Sequence, residues 1–445
     1  MSGARQRGGL LAELLLLPVV VVFFAYVDIH LYLGGALPFP AVYLFIVALS
    51  GVAGWVLLRG VMSRAFAART VALYAAHRQV VMALGAIVLV SFALSFLPGA
   101  YWGDGPRYVA YPVYDAITLL LAMLLPLAIA PERLHRLLAC AFVVFATSVL
   151  IDAVFPGTFS ILAERAAGFA GNPNTAAFLV IAFCCTLLRF DGARVSEIAV
   201  LTLAAAAILA TLSRGGLVML AYVLVWYAYG ALRMRQARPG RRRSGRRWRS
   251  ALVLGLLVVA IGGAGATLLR GAQIFTLQSQ TRMNMLAGEQ EFVSTEDSRY
   301  ALLMEAVALI RETPLLGRGS GFTWSLPEGP HNIYLTQWVN NGLPGLAAYM
   351  WLILAAAALF RARRSRPGLA FIGAVALEGL FSHNLLDERA FLAFMGVQLT
   401  LSYESAQRRR AEAARAADAR FTAGARGTVA ARSAPRIRTR VVGQE

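Results

Sequence analysis

Five histidines and a set of arginines are the residues through which this chain could carry acid–base or phosphate chemistry. His77 and His135 stand beside arginines in short polar segments, and His30 closes an apolar run. His383 lies near the outer end of another run, in Ser382-His383-Asn384. His331 differs from all four. Pro330 precedes it, Asn332 follows it, and it opens a helical stretch inside a long polar segment. An imidazole with an ordinary pKa of about 6.5 takes up a proton readily at ambient pH, which suits a general base. A lone loop histidine is more often structural, so its neighbours must carry the assignment.

Those neighbours are arginines. Arg214 stands in Leu212-Ser213-Arg214-Gly215-Gly216, between two apolar runs that almost touch. A guanidinium at that depth is costly and should face a polar cavity or a partner. The backbone N–H groups of the helix that the glycines open also favour an anion. The ordinary alternative is an arginine that snorkels to the interface. Arg165 lies ahead of another apolar run, in a stretch ending Asn172-Pro173-Asn174, where Asn174 is placed to cap the helix. Arg299 opens a polar helix, where a cation opposes the dipole, so a ligand is the better reason for it. Arg318, between Gly317 and Gly319, is the least distinctive. Several guanidiniums with one imidazole suit pyrophosphate recognition beside a proton acceptor, because paired N–H donors grip phosphate and keep their charge. Charge developing on a leaving pyrophosphate needs neutralising, by a divalent metal or by arginines. Glu289, Glu291, Glu296 and Asp297 form no Asp-x-Asp pattern, so a site without metal or other cofactor is expected.

Membrane helices must position these groups. The chain has 445 residues, 58% hydrophobic, with a mean hydropathy of +0.63, too apolar to cover a soluble surface. Apolar runs place spans at roughly 10–32, 38–58, 79–97, 113–130, 137–155, 174–189, 197–212, 215–232, 251–269, 343–360, 368–386 and 390–404. The expected fold is all-α, a polytopic bundle of about twelve transmembrane helices over residues 1–405. The first run lacks a small-residue cleavage site and is read as retained.

Arginine placement orients the bundle. All 42 basic residues are arginine, and with both termini in the cytoplasm 33 lie inside and nine outside. This pattern fits topology control rather than nucleic-acid binding. The Arg241–Arg249 cluster reads as a topology signal and a contact for anionic lipid. The Ala/Arg-rich tail from Ala406 to Glu445 reads as a disordered or membrane-surface cytoplasmic segment. Cys140, Cys184 and Cys185 all lie within apolar runs, and neither disulfide nor zinc spacing is present. One extracytoplasmic loop, about 270–341, is much longer than the rest. In it, a capping box at Ser294–Asp297 starts a helix over 298–312 that Thr313-Pro314 stops. A Gly/Pro-rich stretch follows, then a helical run from His331 to Val339, broken at Asn340-Asn341-Gly342-Leu343-Pro344-Gly345. Tyr334 and Trp338, four apart, suit an interfacial aromatic belt, and Asn332 and Tyr334 are placed to orient His331.

In order, Gly168 through Asn174, Ser213-Arg214-Gly215, Arg299 with Pro314-Leu315-Leu316-Gly317, and His331-Asn332-x-Tyr334-Leu335 with Gly342 and Gly345 resemble the O-antigen ligase and polymerase superfamily. Each motif is weak alone; their order, spacing and shared side make the set specific. Lysine is absent, so any lysine used by relatives is replaced or lost here. The resemblance implies a polysaccharide donor on undecaprenyl pyrophosphate at the periplasmic leaflet of a bacterial inner membrane. In the ligase branch the acceptor is the lipid A–core oligosaccharide; related branches polymerise lipid-linked repeats or glycosylate protein hydroxyls. A compact chain without an added soluble domain favours the ligase. It implies His331 as the catalytic base, with Arg214, Arg299, Arg165, Arg318 and Asn332 binding substrate.

A transporter is the rival from another class. It would place paired ionisable residues around broken helices in a repeated pattern. Asp28, Asp115, Asp152 and Glu378 are scattered and form none.

Overall fold

A computed structural model describes residues 19–100, 107–160, 165–191, 194–236, 295–382, 385–386 and 388–433. All regular structure among the described residues is helical: α1 (Val27–Leu33), α2 (Ala41–Met62), α3 (Arg64–Ala76), α4 (Arg78–Leu94), α5 (Arg107–Ala122), α6 (Leu125–Ala128), α7 (Pro131–Val154), α8 (Pro173–Leu187), α9 (Val195–Thr211), α10 (Arg214–Gln236), α11 (Thr295–Glu312), α12 (Ile333–Ala362), α13 (Arg366–Glu378) and α14 (Arg389–Ser433). A helix stands at each expected span that falls within the described residues. The span at 251–269, the Arg241–Arg249 cluster and the loop residues up to Ser294 lie outside them. Among the described residues, by length and composition four helical stretches can each cross a bilayer: Ala41–Met62, Ala110–Ala128, Pro131–Val154 and Ile333–Ala362. The pair α3–α4, bent by 64°, forms a fifth if taken as one span. The chain is thus a helical membrane protein; length and hydropathy alone do not reach twelve spans.

The centre of the bundle is α8. It is buried on every side from Ala176 to Leu187, as a helix apolar all round must be. Around it pack α7, α9, α10, α13 and α14, while α12 lies along α4 and α5 along α14. Three expected spans are broken. The first turns at Ala25–Tyr26, where Tyr26 is left-handed (φ 62°) and its hydroxyl accepts from the N–H of Ala390 (3.0 Å). The fourth breaks between α5 and α6, ahead of Pro126. The eleventh ends early, at Glu378 with Gly379 as its C-cap, so Ser382 lies beyond the helix; His383 is outside the described residues.

A buried ion pair joins α1 to α14. Arg389 grips both oxygens of Asp28, donates to Phe23 O (3.0 Å) and lies over the rings of Tyr26 and Phe45. At the arginine-rich face, Arg69 pairs with Glu404, and Arg363 reaches His77 in the α3–α4 corner. The expected irregular tail is instead helical as far as Ser433, within α14. Alanine, arginine and glutamate are strong helix formers, and they prolong the turn pattern begun in the bundle. Residues 434–445 are outside the described residues.

Candidate active site

The segment bearing Arg165 is held from beneath by one carboxylate. Asp152, 1% exposed near the end of α7, accepts through Oδ1 from the N–H groups of Phe159 (3.1 Å) and Ser160 (3.4 Å). Its Oδ2 accepts from Ala167 (2.8 Å) and Gly168 (3.1 Å). Unmet buried N–H groups are costly, so this residue fixes the loop that carries Arg165 to the start of α8. There Arg165 Nε donates to Thr211 O (3.1 Å) and Nη2 to Asn174 Oδ1 (3.2 Å). The same Asn174 oxygen accepts from Ser213 Oγ (3.0 Å). Asn174 therefore does not cap α8. Asn172 does, accepting from the N–H groups of Asn174 (2.9 Å) and Thr175 (3.5 Å), with Pro173 at the first helical position. The cap leaves the Asn174 side chain to bridge two motifs 39 residues apart.

Ser213 caps the next helix, its Oγ accepting from Gly216 N–H (3.2 Å), so Arg214 is the first residue of α10. Behind it, a Cβ on Gly215 would lie 3.4 Å from Oε2 of Glu378 and 3.3 Å from the Phe381 ring. Glu378, 3% exposed, ends α13 at this point. The next residue meets the start of α12: Gly379 O accepts from Ile333 N–H (2.9 Å), and a Cβ on Gly379 would strike the side chains of Ile333 and Tyr334. The Glu378–Gly379 corner thus has the Arg214 helix start on one side and the His331-Asn332-Ile333 helix start on the other. His331 is half-buried and left-handed (φ 46°), a conformation that carries strain for a non-glycine residue.

Several expected ligands also make structural contacts. Asn332 Oδ1 is the N-cap of α12, accepting from Tyr334 (3.0 Å) and Leu335 (3.2 Å). Tyr334 donates to Ala376 O (2.9 Å) and Trp338 Nε1 to Pro314 O (2.9 Å), and both brace neighbouring elements. Arg318 pairs with Glu312 at the end of α11, its backbone N–H donates to Val339 O (2.8 Å), and its guanidinium lies over Phe322. Arg299 sits near the start of α11, which opens at Thr295 and ends at Glu312 as its capping and stop signals indicate; the side chain lies outside the described residues. Glu289 and Glu291 also lie outside them.

The break in α12 falls at Gly342 (φ 60°, ψ −161°), a region essentially restricted to glycine. Leu315 and Leu316 press against it, and Gly317 packs against the Val339 and Asn340 carbonyls. Around this kink Asn340 and Thr323 exchange hydrogen bonds (2.8 and 3.1 Å), and Ser320 Oγ reaches both Ser91 O (2.6 Å) and Asn341 Oδ1 (2.8 Å). The loop after α11 is thereby fastened to the helix that begins at His331.

Residues 199–350 match the family model described as O-antigen ligase. The matched segment runs from within α9 into α12 and contains Arg214, Arg299, Arg318 and His331; Arg165 precedes it. Members of the O-antigen ligase family are glycosyltransferase-like enzymes acting on lipid-linked sugars, so the resemblance read from the motifs holds for this segment. No curated protein matches the chain. Of the ligase-motif residues, Arg165, Asn174, Ser213 and Arg214 form one connected group, and His331 stands across the Glu378–Gly379 corner from it. Asp152 was not legible as part of this site, since its partners are backbone N–H groups that no side-chain motif announces.

Proposed function

We propose that the chain is an O-antigen ligase, transferring polysaccharide from undecaprenyl pyrophosphate to the lipid A–core oligosaccharide at the periplasmic face of the inner membrane. The observation that carries this reading is the meeting of two helix starts, one led by Arg214 and one by His331, at a single corner of α13. Arg214, Arg299 and Arg165 hold the donor pyrophosphate, and guanidinium forks neutralise it as it departs. His331 takes the proton of the acceptor hydroxyl while that oxygen attacks the anomeric carbon. The carbon–oxygen bond to pyrophosphate breaks on the opposite face, and the proton passes from His331 to solvent. One displacement inverts the linkage, and no divalent metal is required.

Purified protein in detergent, given lipid-linked polysaccharide and lipid A–core glycolipid, should form the joined product without a sealed compartment. His331→Ala should lower transfer roughly 10²–10⁴-fold while donor binding persists. Activity should survive EDTA. A product with retained anomeric configuration, or an active His331→Ala enzyme at neutral pH, contradicts the mechanism. Product formed only with a second lipid-linked repeat or with a protein hydroxyl would assign the chain to another branch.

A further inference from the structure

A cavity of about 60 Å³ lies between α4, α5, the Ser320–Trp324 turn and the first two turns of α12. Tyr111, Asp115, Trp324, Thr336, Gln337 and Asn341 are among its lining residues. It has room for on the order of four water molecules, or one edge of a sugar ring.

The wall on α12 is one helical face, and it is rigid. Asn341 Nδ2 donates to Gln337 Oε1 (3.1 Å), Asn341 Oδ1 accepts from Ser320, and Asn340 is locked to Thr323. Among the described residues nothing accepts from the Nε2 donors of Gln337. Asp115 adds carboxylate acceptors, and Trp324, 44% exposed, offers an aromatic face at the rim. Carboxylate, amide and hydroxyl groups beside an exposed indole suit hydroxyl pairs and the C–H face of a sugar. Among the described residues no cation lines the cavity, so a phosphate would find no counter-charge here.

The position is informative too. Ile333 is among the lining residues, and its N–H bonds Gly379 O at the corner shared with Arg214. Cavity and arginine group therefore flank the same helix start. Thr336 lies one turn into α12, and His331 immediately precedes the N-cap Asn332 of that same helix.

We propose that this cavity is the acceptor subsite, which takes one hydroxyl-bearing edge of a neutral sugar and leaves a neighbouring hydroxyl at His331. The assignment rests on the ligase reading for its role in transfer, but not for sugar binding itself. The test uses full-length protein with Trp324→Ala, Gln337→Ala and Asp115→Asn. With lipid A–core glycolipid varied against saturating lipid-linked polysaccharide, each variant should raise the acceptor KM at least tenfold. Donor KM should stay within twofold of wild type. Separately, lipid-free core oligosaccharide is titrated calorimetrically into wild type and Trp324→Ala; as an exposed residue, Trp324 is dispensable for folding. Binding lost in the variant supports the subsite whether or not transfer occurs. Equal binding in both, no binding to wild type, or a parallel rise in donor KM overturns it. A wild type that binds the oligosaccharide yet transfers nothing to it counts against the ligase reading and leaves the sugar subsite standing.

Discussion

Arg165 leads into α8 and Arg214 opens α10. Arg165 donates to Thr211 O and Asn174, so its removal should loosen the junction of α8 with α10 as well as any phosphate contact. Arg214 is the first residue of α10, and a helix N-terminus favours an anion. Arg214→Ala should abolish transfer in protein that still inserts and elutes as wild type, and Arg214→Lys should rescue little, because an ammonium lacks the planar fork. Near-normal turnover of Arg214→Ala with lipid-linked donor would remove it from the pyrophosphate site. His331 and Arg214 were legible because type and setting clash: a polar, titratable group at an element boundary is conspicuous in so apolar a chain. The roles of Asn174 and Asn332 were less so. Both follow helix-start motifs, and only the cap geometry decides which asparagine serves the backbone and which reaches across.

Helix α12 shows how one residue sets an element. Gly342 permits the kink that divides α12 into a short helix beginning after His331 and a longer one. Gly342→Ala should cost roughly 1–3 kcal/mol from backbone strain alone, with a further loss where the new methyl meets Leu315. Thermal unfolding of the purified variant measures this; an unchanged midpoint would mean that the kink tolerates a side chain. A second element contact is sensitive to acid. At the corner between α3 and α4, on the arginine-rich face, Arg363 Nη1 donates to Nε2 of His77 (2.5 Å), leaving Nδ1–H for Leu73 O (2.6 Å). Burial, then the Arg363 charge, pushes the His77 imidazole down to about 4. The unfolded chain binds this proton near pH 6.5 and the folded one only near 4, so folding is favoured above that window and loses on the order of 3 kcal/mol as pH falls through it. A stability profile measured from pH 7.5 to 4 should slope downward in wild type and lie flatter in His77→Gln; identical profiles would remove His77 as the cause. Apolar periodicity made these helices visible in the sequence, but not the breaks at Tyr26 and Glu378, which are set by partners distant along the chain.

Across the whole molecule, arginine distribution predicts that both termini and the Arg233–Arg249 segment face the cytoplasm and the loop at 270–341 the periplasm. Single cysteines at Glu291 and Arg246 in a chain lacking its native thiols test this with an impermeant reagent. Labelling from outside at Glu291 alone is expected; labelling at Arg246 alone reverses the orientation. Two of the scattered acids have ordinary duties: Asp28 pairs with Arg389, and Asp152 holds a loop. The longest helix, α14, carries a different consequence. Past Ser405 it continues as one rod to Ser433, a length of about 40 Å at the usual helical rise. Its first arginines are already engaged: Arg408 donates to Glu132 (3.1 Å) and Arg409 to the Arg363 carbonyl (2.6 Å), so the rod leaves the bundle moored to the start of α7 and the end of α12.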